Sequence, residues 1–103
     1  MTAIHHERLR IGCSKLNNHL FKELDVINSP ACSCGYTCED PDHFFFACPL
    51  FAVHRVQLLQ SLSTVQNITV QKLLYGDPSL TLESNNHIFG AVHLYIMNTQ
   101  RFE

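Results

Sequence analysis

The sequence predicts a small, mainly α-helical single domain of four to five helices with a zinc knuckle in the middle of the chain. Within 1–103, we expect an N-terminal helical segment at 1–28, the knuckle at 29–49 and C-terminal helices at 50–103. On both sides of the knuckle, apolar residues recur at the three- and four-residue steps of amphipathic helices. The knuckle itself holds four of the five cysteines. Seven phenylalanines and three tyrosines supply bulky side chains for one modest core.

The N-terminal segment is expected to be helical with one interruption. Gly12 breaks the helical period, and Ser14 is placed to cap a second short helix. Cys13 lies within an apolar helical pattern, so we expect a small buried residue there and not a metal ligand. The segment ends in a turn, since Pro30 disfavours a helical conformation at Ser29. The apolar positions that define the period are Leu9, Cys13, Leu16, Leu20 and Leu24.

The C-terminal segment is expected to contain three helices. Pro49 begins the first, in which Arg55 can lay its apolar stem along the buried stripe. Thr69 is expected to cap a short second helix that ends at Gly76, and Thr81 to cap the last helix. The stripe of the first helix comprises Phe51, Arg55, Leu58, Leu59 and Leu62, and that of the last comprises Ile88, Phe89, Val92, Tyr95 and Ile96.

Composition and charge restrict the compartment and the partners of the chain. No apolar run approaches the roughly 20 residues that span a bilayer, and the start, MTAIHHERLRIG, lacks the apolar core of a secretory signal. We therefore expect the nucleus or cytoplasm, where thiols stay reduced. The formal charge is −2, from seven Lys and Arg against nine Asp and Glu. This balance argues against strong general binding to nucleic acid, which depends on neutralising phosphates.

Four cysteines and a histidine in the knuckle have the spacing of a structural zinc site. Cys32, Cys34, His43 and Cys48 spell C-x-C-x8-H-x4-C, and thiolate and imidazole are the usual ligands of tetrahedral Zn²⁺. An odd total of five cysteines in a reducing compartment argues against a disulfide framework. Gly35 follows the first pair, where the chain must turn sharply and glycine tolerates a positive φ.

Cys38 is a fifth candidate ligand, which could replace Cys34 or His43. The spacing favours the set without it, because Cys38 lies in the middle of the loop beside two acidic residues. In a continuous α-helix, His43 and Cys48 would point about 140° apart, at roughly 100° per residue. The helix is therefore expected to end or tighten near Cys48, and Pro49 supplies a reason for an irregularity there.

The other histidines and the acidic residues show no pattern of a catalytic site. A hydrolytic zinc keeps an open position for water, whereas four protein ligands would close the shell. The chain also lacks a phosphate-binding loop and the Cys-x-x-Cys pair of zinc deaminases. We therefore expect no catalytic residues and no enzyme activity. The histidines without ligand spacing, which we expect at the surface, are His5, His6, His54, His87 and His93.

Basic residues are concentrated near the N-terminus. Arg8, Arg10, Lys15 and Lys22 face only one acidic residue up to position 22, Glu7. These four side chains are the candidates for contact with phosphates of RNA or DNA. The alternative is that they form a solvated face with no partner.

Three stretches carry a resemblance to a known family: LRIGCSKLNNHLF, the block SPACSCG with EDPDHFFFACPLF, and the tail LLYGDPSLTLESNNHIFGAVHLYIMNTQRF. The first two closely resemble the zinc-binding segment downstream of the polymerase region in reverse transcriptases of non-LTR retrotransposons. The tail is similar to the end of such open reading frames in animal genomes. By position, the resemblance places the metal ligands at Cys32, Cys34, His43 and Cys48, and it leaves Cys38 out.

The resemblance implies a zinc-binding, non-catalytic module derived from a reverse transcriptase. In that family the segment is thought to help the enzyme engage template nucleic acid, with polymerase and nuclease domains upstream. This chain has no Asp-Asp polymerase motif, so no reverse transcriptase activity is expected from it. The alternative is a structural or protein-interaction domain in which zinc only stabilises the fold.

Overall fold

The mainly helical fold that the sequence predicts is confirmed. The computed structural model describes residues 2–10, 16–17, 20 and 29–102. The predicted break at Gly12, the cap at Ser14 and the buried Cys13 lie outside the described residues. The helices are α1 (Thr2–Arg10), α2 (Ala52–Ser61), α3 (Val70–Tyr75) and α4 (Leu82–Thr99), with a π-helical turn at His43–Ala47 and a 3-10 turn at Pro49–Phe51.

The predicted caps of α3 and α4 are confirmed. The hydroxyl oxygen of Thr69 accepts a hydrogen bond from the backbone N–H of Lys72 at 3.2 Å, and that of Thr81 accepts one from the N–H of Ser84 at 3.1 Å. Gly76 ends α3 with a φ of 78°. A Cβ atom at this position would lie 2.7 Å from the side-chain oxygen of Asn85, so the turn requires glycine for space as well as for conformation.

Helix α4 is the centre of the fold, because α1, α2 and α3 all pack against it. Its predicted apolar face is buried, apart from the partly buried Phe89. Tyr95 on this face contacts the rings of Phe44 and Phe45 at 5.2 and 5.5 Å between centroids, which attaches the knuckle to the core. The predicted stripe of α2 is wrong at Leu59, which is 41% exposed, because α4 covers a narrower face of α2 that includes Leu58.

Helix α1 is held by a histidine that we expected at the surface. His6 is buried, and its Nε2–H faces the carbonyl oxygens of Leu73 at 3.0 Å and Leu74 at 3.2 Å. Because Nε2 carries the hydrogen, Nδ1 of His6 accepts a hydrogen bond from Nε2 of His93, at 2.8 Å. Arg10 donates to the carbonyl of Leu74 as well. The surface prediction for His6 is therefore wrong, since the ring is buried against the carbonyls of Leu73 and Leu74 at the end of α3.

We predict that acid weakens the fold through His6. Burial, and then the charges of Arg10 and His93, lower the pKa of His6 from 6.5 to about 4. Between pH 6.5 and about 4, His6 is protonated in the unfolded chain and neutral in the folded chain. The free energy of unfolding therefore falls as the pH drops from 6.5 towards 4. At pH 5 this contribution amounts to about 2 kcal/mol.

Urea unfolding of the wild type and of His6→Gln at pH 7 and pH 5 measures this effect. The loss of stability between the two pH values should be smaller in His6→Gln by about 2 kcal/mol. His54→Gln, which changes a half-exposed ring on α2, is the matched control and should keep the wild-type pH dependence. Equal losses in all three proteins would contradict the prediction.

Candidate metal centre

The first half of the knuckle is a tight turn that contains two of the cysteines. The N–H of Gly35 donates to the carbonyl of Cys32 at 3.0 Å, and the N–H of Cys32 donates to the carbonyl of Tyr36 at 2.9 Å. Gly35 has a φ of +100°, as its position after the first pair predicts. This turn places the Sγ atoms of Cys32 and Cys34 on the same side, towards His43 and Cys48.

The second half of the knuckle is a helical turn that widens. At its start, Oδ1 of Asp40 accepts a hydrogen bond from the N–H of His43 at 2.9 Å. The N–H of Cys48 then donates to the carbonyl of His43, five residues earlier, at 2.8 Å. The helix therefore ends near Cys48, as expected, and its π-helical last turn places Cys48 directly beyond His43, where both can face one point.

The structure brings together Cys32, Cys34, His43 and Cys48, the four predicted ligands. Their ligand atoms all lie within 4.8 Å of one another. The Sγ atoms of Cys32 and Cys48 are 3.8 Å apart, and Sγ of Cys34 is 3.2 Å from Nε2 of His43. Tetrahedral Zn²⁺ with Zn–S bonds of about 2.3 Å holds two sulfurs about 3.8 Å apart. The donor set and its spacing thus fit a zinc ion.

Cys38 is not in this group of four. Its thiol donates to Oδ2 of Asp40 at 3.7 Å. Of the ligand set, Cys32, His43 and Cys48 are buried and Cys34 is half-buried, so the centre lies under the surface of the knuckle. The structure therefore favours the set chosen from the spacing over sets that include Cys38.

An ion pair between a buried acid and a half-buried arginine lies against the candidate ligand Cys32, and sequence reasoning missed it. Glu39 is 2% exposed, and its Oε2 accepts hydrogen bonds from the thiol of Cys32 at 3.6 Å and from Nε of Arg101 at 2.8 Å. Arg101 also donates to Oε1 of Glu39, as does the N–H of Asn17 at 2.7 Å. Three distant parts of the chain meet at this carboxylate.

The ion pair balances charge beside the candidate metal centre. Burial alone raises the pKa of Glu39, but the hydrogen bonds from Arg101 and Asn17 outweigh it, so the pKa is lowered. Glu39 is therefore an anion next to the Cys32 sulfur. Arg101 is the cation that faces both groups, and its hydrogen bonds to Glu39 raise its own pKa. No local pattern could reveal this pair, because 62 residues separate its members.

The pKa values of the three candidate ligand thiols, Cys32, Cys34 and Cys48, are shifted in different directions. Burial raises the pKa of Cys32 to about 12 and also raises the pKa of Cys48. A hydrogen bond from the backbone N–H of Tyr36 lowers the pKa of Cys34. Because thiolates are the metal-binding form, a cation at the centre would stabilise the ionised state at all three positions and release protons on binding.

Arg55 connects the centre to helix α2. Its Nε donates to the carbonyl of Phe45 at 3.1 Å, and its guanidinium also donates to the carbonyl of Cys48. The carbonyl of Cys48 also accepts a hydrogen bond from the N–H of Phe51 at 3.2 Å, so Arg55 contacts the point where the π-helical turn meets the 3-10 turn. The sequence predicted the apolar stem of Arg55 along the stripe, but not this contact with the knuckle.

Of the four predicted basic residues, the structure describes Arg8 and Arg10. Arg8 is exposed. Arg10 is half-buried, and its guanidinium contacts the carbonyl of Leu74, the carboxylate of Glu7 at 3.2 Å and the ring of Phe89 at 4.9 Å from the centroid. Lys15 and Lys22 lie outside the described residues.

Fold and site together define a class: a small, mainly helical protein with a Cys3His group that could hold a metal ion. Comparison with known proteins finds no matching family model, no matching curated protein and no matching solved structure. No helix in the described ranges is long and apolar enough to cross a membrane.

Proposed function

We propose that the chain is a zinc-binding, non-catalytic module in which Zn²⁺ holds the knuckle together. The observation that carries this proposal is the convergence of Cys32, Cys34, His43 and Cys48, with all ligand atoms within 4.8 Å of one another. Three sulfurs and one imidazole favour Zn²⁺ over the hard cations Ca²⁺ and Mg²⁺, which take oxygen ligands.

The zinc would be structural because the protein itself fills the tetrahedron. Catalytic zinc needs a position for water or substrate, and here four protein ligands are within reach, three of them buried. When bound, the ion would supply the charge that keeps Cys32 and Cys48 ionised in their buried setting. Asp40, Arg55 and the stacked ring of Tyr36 orient the backbone and the imidazole around it.

Metal analysis of three purified proteins tests this proposal. The wild type should bind about one equivalent of zinc per chain, as four ligands form one tetrahedral site. Cys34→Ser should lose the metal, and Cys38→Ser, which makes the same change four residues away, should retain it. Cys34 suits this test because its thiol is half-buried, so the substitution disturbs packing less than one at Cys32 or Cys48. Retention by Cys34→Ser and loss by Cys38→Ser would contradict the ligand set.

We propose as a second candidate that this module derives from a non-LTR retrotransposon reverse transcriptase and contacts RNA or DNA. The sequence resemblance and the exposure of Arg8 support it. Titration of the zinc-loaded chain with single-stranded RNA and with duplex DNA at two salt concentrations tests it. We expect micromolar binding that weakens with salt and weakens further in Arg8→Glu, because phosphate contacts release counterions. An affinity that changes neither with salt concentration nor in Arg8→Glu would contradict this second candidate.

A further inference from the structure

An acidic cleft lies on the outer side of the knuckle. It has a volume of about 250 Å³. Among the described residues, two carboxylates and two aromatic rings line it, and the imidazole of His43 is the one basic side chain there. The lining residues are Tyr36, Asp40, Asp42, His43, Phe46 and Ala47. Such a combination attracts cations with an apolar or planar part, and it repels phosphates.

The ring of Tyr36 forms a platform in this cleft. It stacks on the imidazole of His43 with 4.5 Å between centroids and 6° between planes, so His43 covers one of its two faces. Tyr36 is 52% exposed, so its ring is open to a partner from solvent. A cation placed over the uncovered face would gain cation–π attraction.

Two polar groups of the cleft lack partners within the described part of the chain. The carboxylate of Asp42 is exposed and forms no hydrogen bond or ion pair there. His43 is 4% exposed, and its Nδ1, the nitrogen that does not face Cys34, is buried without a hydrogen-bond partner. A buried N–H that lacks an acceptor costs stability, so this side of the His43 ring is energetically unsatisfied.

We propose that this acidic cleft binds an arginine side chain of a partner protein. A guanidinium is planar, stacks on aromatic rings and pairs with carboxylates, which matches Tyr36, Asp40 and Asp42 better than a compact ammonium group would. This proposal rests on the proposed function, because the metal ligand His43 forms one wall of the cleft.

NMR titration of the zinc-loaded full chain tests the arginine site directly. The probe is the peptide Ac-Gly-Arg-Gly-NH2, and its citrulline analogue, which has the same shape without the charge, is the matched ligand control. The arginine peptide should shift the resonances of Tyr36, Asp42 and Phe46, and the citrulline peptide should bind at least about fivefold more weakly. Equal binding of the two peptides, or shifts confined to other surfaces, would overturn the proposal.

Three variants locate the site and separate this proposal from the function on which it rests. Asp42→Asn and Tyr36→Leu should each weaken arginine-peptide binding about threefold or more, while Glu83→Gln, an exposed acid on α4, should not change it. Zinc content is measured in the same samples. Absence of zinc from the wild type would refute the proposed function, whereas bound zinc without a peptide response would refute only the arginine site. If Asp42→Asn binds a single-stranded RNA oligonucleotide more tightly than the wild type does, the ring of Tyr36 stacks on nucleic-acid bases, and the arginine site is overturned.

Discussion

Removal of the metal ion by a strong chelator is expected to unfold residues 29–49. Structural zinc sites bind their ion with about 10–16 kcal/mol, and this binding energy is folding energy because the site does not exist in the unfolded chain. A whole domain is stable by only about 5–15 kcal/mol. The knuckle also contributes Phe44 and Phe45 to the core, so its loss should loosen the packing around Tyr95.

Hydrogen exchange before and after chelation measures this unfolding. The amide of Cys48, which closes the π-helical turn, should lose its protection, and amides in the middle of α4 should lose less. Addition of Zn²⁺ should restore protection, and addition of Mg²⁺ should not, since a sulfur-rich site is a poor ligand for a hard cation. A fully protected knuckle in metal-free protein would show that packing alone holds these residues.

The substitution Arg101→Met is expected to lower the free energy of unfolding by about 3–5 kcal/mol, because it leaves the buried carboxylate of Glu39 without its ion-pair partner. Glu39 also faces the sulfur of Cys32 at 3.6 Å, so an unpaired carboxylate would repel a thiolate at that position. The zinc affinity should therefore fall together with the stability. Denaturant unfolding and competition with a zinc-binding dye measure the two effects.

Two further variants distinguish a specific ion pair from a general loss of charge. Arg8→Met removes an exposed arginine and should change the stability by less than about 0.5 kcal/mol. The double variant Glu39→Gln with Arg101→Met should recover part of the loss, because neither partner then remains as a buried, uncompensated charge. Equal effects of Arg101→Met and Arg8→Met would contradict the role of the pair.

The features that the sequence predicts correctly are those with local causes. Thr69 and Thr81 cap helices through hydrogen bonds that span three residues, and Gly35 turns the chain within the C-x-C-G motif. The four candidate ligands lie within 17 positions, counted from Cys32 to Cys48, so their spacing alone limits how they can converge. Local backbone physics is enough to anticipate each of these features.

The features that the sequence does not reveal depend on contacts between distant residues. His6 is buried because α1 meets the end of α3, 67 and 68 residues further along the chain. The spacing shows that His43 and Cys48 would point apart in a continuous α-helix, but it does not show which irregularity brings them together. The structure does so with the π-helical turn at His43–Ala47. The exposure of Leu59 likewise depends on how α2 lies against α4.

From the sequence separation of Glu39 and Arg101, we also expect an order in which the centre matures during synthesis. All four candidate ligands have been made once residue 48 is added, whereas Arg101 follows more than fifty positions later. A growing chain can therefore close the knuckle around an ion by short loops, which form early. We expect the ion to be held weakly at first and retained firmly only when Arg101, which follows the end of α4, has reached Glu39.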